Sequence, residues 1–390
     1  MLRPLSIWLL LVALGCGGCE GPREEPKGPV TVPSSAPSTA WKVLERVQNG
    51  RVENHGGLRV VHLWGTPEQR GRAHAELLGD EIAKLIRREF DYRFGRAPLL
   101  LALVRGMLPR VVRYPDAMRA ELAAMFETMQ ASGADLSMPT FKRDMDLRDL
   151  LVMNALDIFG TMGCSGFTVW GERVAGGGVL TCRNFDWPVS GNYLVDNCFL
   201  LVQHPHQGQS FATLTWPGYA MAVTGVNAAG VCVFLHVGNG RRTLTPRKGS
   251  LPTATAARQI LEGAKVANGF QLARKVLAQT SPPASYLTRV VLPTTPPGQP
   301  GPVLVFETDH RSVTERSEER LCVVTNHFVE AGDPDEVGRD SGGRFQKLTN
   351  CLREYLGADD QQVSLAETWQ ALGRVEKSGR RFATLHSRVF

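Results

Sequence analysis

Residues 160–188 read GTMGCSGFTVWGERVAGGGVLTCRNFDWP. A cysteine stands between Gly163 and Ser165 at the head of an apolar run. Three glycines, 176 to 178, separate that run from a second one, which carries Arg183, Asn184, Phe185 and Asp186. Two such runs about a glycine turn predict a β-hairpin. Cys164 would open one strand, and Arg183 and Asp186 would arrive on the strand returning beside it.

A thiol in that position needs a base. Its ordinary pKa is about 8.5, and an α-amine titrates at about 7.7–8.0. No other base is evident in the Cys164 segment. If Cys164 became the first residue of a chain, its own amine could take the thiol proton directly or through a water. Asp186 would then orient the ammonium, while Arg183 would lower the thiol pKa and hold Asp186. Reaching that state requires the Gly163–Cys164 bond to break. The thiol attacks the Gly163 carbonyl, the acyl group shifts from N to S, and water cleaves the thioester. Gly163 lacks a Cβ and tolerates a close attack.

Outward from the hairpin the chain changes character. From 41 to 163 it reads as mostly helical. The hairpin-like LRVVHLWG (Leu58–Gly65) comes first, then a helix capped at Thr66 with Pro67 behind it, then helical periodicity over 115–132 and 146–159. From 164 to 390 strands dominate, with helices at 253–266, 269–279 and 343–357. Strand blocks with few regular βαβ units predict an α+β class.

The first nineteen residues are an address. MLRPLSIWLLLVALGCGGC has one Arg, an apolar core of about ten residues, then small residues and Cys, the pattern of a signal peptide. ALGC, ending at Cys16, resembles a bacterial lipoprotein cleavage box, and Cys19 is the second candidate for lipidation. Residues 20–40 are rich in Pro and Ser and predict a tether. Together these predict an exported bacterial membrane lipoprotein on the periplasmic face or surface.

Other signals are weaker or exclude functions. The net charge of +6 is spread along the chain. Its densest basic run, 241–250, has no aromatic interleaving, so it reads as a loop and no nucleic-acid partner is expected. Cys182, Cys198, Cys232 and Cys322 sit in apolar strand-like runs and are expected as buried free thiols. His204 and His206 could pair on a metal, but Pro205 stands between them and no acid cluster is near, so a surface loop is expected. Asn227 reads as a hairpin asparagine. No P-loop, dinucleotide fingerprint, G-x-S-x-G or H-E-x-x-H is present, and no cofactor or metal is expected.

CSGFTVWGERVAGGGVLTCRNFDW (164–187) resembles the start of the mature chain in the autoproteolytic family of acyl-CoA:6-aminopenicillanate acyltransferase, and more distantly choloylglycine hydrolase and acid ceramidase. EQRGRAHAELLG, TGVNAAGVCVFLHVGN, LCVVTNHF, DSGGRFQKL and ATLHSRVF are similar to further segments of that family, in the same order. The resemblance implies a four-layer αββα sandwich of the N-terminal nucleophile hydrolase type. It implies a helical pro-segment, 41–163, that becomes an alpha chain, and a catalytic beta chain, 164–390, beginning at the Cys164 nucleophile. It implies that Asn326 helps form the oxyanion hole, with His236 or Asn239 as the second donor, and that Arg344 is a distal arginine of the site. A further strand beyond Phe390 is implied as well. The expected substrate is a small acyl amide or an acyl-CoA-like compound, handled through a thioester. Two alternatives stay open: a phospholipase B-like ester hydrolase, and a surface lipoprotein that binds acylated ligands without turning them over.

Overall fold

The computed structural model describes residues 41–390 apart from 160–161, 189–192, 241–242, 244–247, 333–336, 359 and 379–381. The leader with Cys16 and Cys19, the 20–40 segment and most of the 241–250 run lie outside the described residues.

Three strands open the chain as an antiparallel meander: β1 (Trp41–Val47), β2 (Gly50–His55) and β3 (Leu58–Gly65). The sequence reading anticipated only the last. The others mix charged residues with scattered apolar ones, and their one clear signal is Asn49-Gly50, where the Gln48-Asn49 turn leads into β2. Then come α1 (Pro67–Phe94), α2 (Pro98–Val111), α3 (Asp116–Ala131) and α4 (Leu147–Met153). Thr66 caps α1 in a reciprocal box with Gln69. Gly71 lets α3 approach α1 closely, since a Cβ there would lie 2.0 Å from the Glu121 carbonyl oxygen.

The expected hairpin is present as β4 (Gly163–Trp170) and β5 (Val179–Pro188). It is followed by β6 (Phe199–Pro205), β7 (Phe211–Thr215), β8 (Thr224–Asn227) and β9 (Cys232–Gly238). The segment 220–226 is extended only from Thr224. Before that the chain turns aside to bond its Ala222 N–H to the Ala254 carbonyl. The helices α5 (Thr253–Gly263) and α6 (Gly269–Leu277) precede β10 (Ser285–Val291), β11 (Val303–Thr308), β12 (Val313–Ser317) and β13 (Leu321–Val324). The chain closes with α7 (Arg339–Leu356), α8 (Leu365–Gly373) and β14 (Phe382–Val389).

Two sheets result. One has ten strands in the order β1-β2-β3-β6-β7-β8-β9-β10-β11-β12, and the other has four in the order β13-β4-β5-β14. Strand alternation sorts the side chains into layers. Val233, Val290 and Leu304 of the large sheet pack against α5 and α6, while Val61, Leu63 and Leu201 pack against α1 and its neighbours. Their opposite face meets the small sheet through Phe234, Leu287, Val305, Cys322 and Trp170. The far face of the small sheet is covered by α7 and α8 through Phe167, Cys182, Leu348 and Leu372. The protein is therefore an α+β, four-layer αββα sandwich, as the resemblance implied.

The segment before Cys164 is part of this body. Its strand β3 pairs parallel with β6, from the segment after Cys164. Its Glu121, on α3, is buried against Arg70 of α1 and Arg258 of α5, at 2.9 and 2.6 Å.

Candidate active site

Cys164 is the second residue of β4, fully buried in the middle of the uncut chain. Its cross-strand partner is Phe185, and that of Gly163 is Asp186. In an antiparallel pair, partners share a face and successive residues alternate. Cys164, Arg183 and Phe185 therefore face the large sheet, while Gly163 and Asp186 face the α7–α8 side.

On the inner face Arg183 reaches the thiol. Its Nη2 donates to Cys164 Sγ at 2.8 Å and also to the Leu235 carbonyl. Its Nη1 donates to the Val223 carbonyl and to Thr224 Oγ1 at 2.7 Å. The thiol itself lies 3.7 Å from the Leu235 carbonyl oxygen, onto which it can donate. Burial pushes the Cys164 thiol above its ordinary pKa, and Arg183 opposes that without reversing it. The thiol is protonated here and has a cation in place to receive its charge. The expectation that Arg183 also holds Asp186 is not met. The two residues are three apart on one strand, so alternation sends their side chains to opposite faces.

On the outer face Arg344 takes that part. α7 begins at Arg339, earlier than its sequence periodicity indicated, and it brings Ser341 and Arg344 together. Arg344 Nη1 donates to the Cys164 carbonyl and lies 3.9 Å from Asp186 Oδ2. Arg344 Nη2 donates to Asn326 Oδ1 at 2.7 Å and to Asp340 Oδ2 at 2.8 Å. The same Asn326 Oδ1 accepts the Cys164 N–H at 2.9 Å. Asp186 Oδ1 accepts from Thr384 Oγ1 at 2.6 Å, across the β5–β14 pair. Its Oδ2 is buried and has no hydrogen-bond donor among the described residues. Burial raises the Asp186 pKa above the ordinary carboxylate range, against the pull of Arg344 and the Thr384 hydrogen bond.

The oxyanion candidates fare unevenly. Asn326 touches Cys164, but with its acceptor side, and its Nδ2 donates to the Val237 carbonyl at 2.7 Å. Two donors on Oδ1 and one acceptor at Nδ2 fix the amide's orientation. His236 is fully buried on β9, one residue from Leu235, with neither ring nitrogen hydrogen-bonded among the described residues. Burial holds it well below its ordinary pKa, reinforced by Arg183, Arg289, Arg344 and Arg316, so it is neutral. The Asn239 side chain points away, exposed, and donates to the Val337 carbonyl at 3.2 Å. Only its backbone serves the site, donating to the Asn326 carbonyl at 2.6 Å.

Several site groups escaped the sequence reading. Thr384 lies in ATLHSRVF, a segment that carried a resemblance to the family but no residue role. Ser341 Oγ accepts the Asn326 N–H at 2.8 Å and so holds that loop. Its Ser-x-x-Arg spacing with Arg344 was the available signal. The Val223 and Leu235 carbonyls carry no signal in side-chain identity. Elsewhere, Asn227 is a turn residue whose amide donates to the Leu261 and Ala264 carbonyls and accepts the Ala229 and Val231 N–H groups. Cys182, Cys232 and Cys322 are buried free thiols, and Cys198 is partly buried. His204, expected in a surface loop, instead lies within β6, next to its last residue, and stacks on His62, with ring centroids 5.6 Å apart.

Residues 174–390 match the model of the family described as acyl-coenzyme A:6-aminopenicillanic acid acyl-transferase. The chain belongs to this family. The matched span is more than half of the chain and holds Arg183, Asp186, Asn326 and Arg344, while Cys164 precedes it. Protein dcd1B of Dictyostelium discoideum is 25% identical over 205 residues, which are 47% of this chain and 40% of that protein. The chain thus spans well under half the length of that curated relative. Among solved structures it is similar to a Caenorhabditis elegans ortholog of N-acylethanolamine-hydrolyzing acid amidase, at 14% identity and a TM-score of 0.40, covering 54% of this chain and 85% of the other. It is also similar to a mutant of conjugated bile acid hydrolase from Clostridium perfringens, at 10% identity and a TM-score of 0.40, covering 58% and 85%.

Proposed function

We propose that this acyltransferase-family protein is an N-terminal-cysteine amidohydrolase or acyltransferase that makes its own nucleophile by cutting between Gly163 and Cys164. The observation that carries the reading is Asp186 Oδ2, buried beside Gly163 with no donor of its own among the described residues. A cut at this bond would free an α-ammonium next to that oxygen. The same nitrogen already donates to Asn326 Oδ1.

In the maturation step, Cys164 Sγ adds to the Gly163 carbonyl carbon and the thiol proton passes to the Cys164 nitrogen. The C–N bond breaks, leaving a thioester at Gly163 and a free amine, and water hydrolyses the thioester. In turnover the neutral amine takes the thiol proton. The resulting ammonium is held by Asp186 and Asn326, and the thiolate by Arg183. Thiolate attack on an acyl amide forms the acyl-enzyme. The ammonium returns its proton to the departing amine, and water or a second amine takes the acyl group. Arg344 positions Asp186 and the Cys164 carbonyl. An oxyanion role for Asn326 requires its Nδ2 to leave the Val237 carbonyl when substrate binds. His236 is neutral and able to donate, the better second candidate over Asn239. After the cut, the Glu121–Arg258 contact would keep segments 41–163 and 164–390 together as two chains.

Purification from a heterologous host, a denaturing gel and N-terminal sequencing test this reading. The larger fragment should begin Cys-Ser-Gly-Phe-Thr, and Cys164→Ala should stay whole. A wild-type chain that hydrolyses amides uncut overturns the mechanism. A cut that persists in Cys164→Ala assigns it to a host protease.

We further propose export and a lipid anchor on Cys16, with Cys19 as the alternative, on the strength of the leader's composition. Membrane fractionation of Cys16→Ser and Cys19→Ser tests it, and retention of both on the membrane rejects it.

A further inference from the structure

Beside Cys164 lies an apolar pocket. Its walls include Phe185, the cross-strand partner of Cys164, with Trp187, Trp216, Tyr219 and Met162. The Phe185 ring lies 5.7 Å from Trp187 and 5.8 Å from Trp216, centroid to centroid. One part of the wall is polar. Glu89 of α1 lines the pocket at 2% exposure. Its Oε1 accepts Arg93 Nε at 2.6 Å, and the Arg93 guanidinium sits over the Trp187 ring at 5.2 Å. Three atoms here are buried and have no hydrogen-bond partner among the described residues: Glu89 Oε2, Arg93 Nη2 and Trp187 Nε1. Buried polar atoms are nearly always paired. Two of the three atoms are on pocket-lining side chains and the third is on Arg93, which contacts both; together they point to a group that arrives from outside the chain.

We propose that this pocket selects acyl groups whose distal end carries an uncharged hydroxyl, held between Glu89 and the N–H donors of Trp187 and Arg93. The proposal rests on the reading of Cys164 as the acyl-accepting nucleophile. Glu89 and Arg93 balance each other's charge, so an additional charged group would be buried without a counter-ion. A hydroxyl donates once and accepts, which suits one free acceptor and two free donors. Trp187 stands two residues beyond Phe185 on the same strand face, about 7 Å along β5. That is the reach of a phenyl ring with a para substituent, or of a short chain. A site built to bond a hydroxyl discriminates against the analogue lacking it, because its own polar groups are then left unpaired.

The test uses full-length protein and paired p-nitroanilides: para-hydroxyphenylpropanoyl against phenylpropanoyl, and ω-hydroxyhexanoyl against hexanoyl. In at least one pair the hydroxylated substrate should have a kcat/KM about 10-fold or more higher. Trp187→Phe and Glu89→Leu should each bring that ratio to within about threefold of unity. Trp187→Phe carries the test alone if Glu89→Leu does not fold. Binding of the corresponding free acids, followed by tryptophan fluorescence, reads the pocket without turnover. Hydroxyl preference in binding with no amide cleaved supports the pocket and rejects the amidase reading. Cleavage with no hydroxyl preference in either pair does the reverse. A preference that survives both substitutions overturns the assignment to these residues.

Discussion

Glu121 and Asp186 are both fully buried carboxylates near arginines, and they have opposite electrostatics. Burial penalises both. Glu121 is compensated: Arg70 and Arg258 bond both of its oxygens, and its pKa falls below the ordinary range. Asp186 has one hydroxyl donor, an arginine at 3.9 Å and an unbonded oxygen, and its pKa is raised. A closed partner set marks a strut between segments. In the mechanism we propose, an open one marks the place where the ammonium would appear, and that difference, more than burial itself, sets Asp186 apart from Glu121.

The sharpest way to break this contrast is to neutralise each group. Asp186→Asn keeps the fold and should reduce turnover by about 10²–10⁴-fold, the scale of a lost acid–base partner. Its melting temperature should hold, because no satisfied ion pair is lost. Glu121→Gln should do the opposite and destabilise by about 3–5 kcal/mol in urea unfolding, leaving turnover per folded molecule near wild type. If the two variants exchange phenotypes, the distinction fails. Asn326→Ala should lower kcat by about 10²–10³-fold, and normal kinetics would remove Asn326 from the site.

A third carboxylate extends the series toward pH. Asp157 is buried, and burial holds its pKa up at about 6 despite N–H donors at the start of α5. Because its folded pKa is raised, its contribution runs opposite to that of Glu121. Stability is greatest with Asp157 protonated and falls as pH rises from about 4 through 6. Asp157→Asn should recover up to about 3 kcal/mol at pH 8 and change little at pH 4. For Glu121, whose folded pKa is depressed, stability is present above the ordinary glutamate pKa and lost as pH falls below it. Urea titrations at the two pH values read both signs.

The smallest effect concerns the single hydrogen bond of Asp186. Thr384→Val removes a donor that lowers the Asp186 pKa, so the acid limb of the kcat/KM profile should move to higher pH, with about a tenfold loss below neutrality. An unmoved limb with a lower plateau would make Thr384 a packing residue only.

Local pattern was enough for much of this. A cysteine at a strand start, a glycine turn and an Arg-Asn-Phe-Asp return predict the hairpin, because strand period and turn chemistry are properties of neighbours in the chain. The strands β1 and β2 were lost for the same reason, since their pairing partners and not their composition make them strands. Alternation also implies that Arg183 and Asp186 face apart, yet only the layered packing shows what each meets. The thiol meets Arg183 over Leu235, and the carboxylate meets Arg344 and Thr384, from segments about 160 and 200 residues further along. Which Asn326 atom faces Cys164, and that the Asn239 side chain turns outward, follow from hydrogen bonds to backbone carbonyls, which no residue type announces. Residue types and their order were enough to set the chemistry available at Cys164. Which charges stand beside it, and which are left open, emerged with the packing of the layers, because burial and partner count are set by distant segments meeting in space.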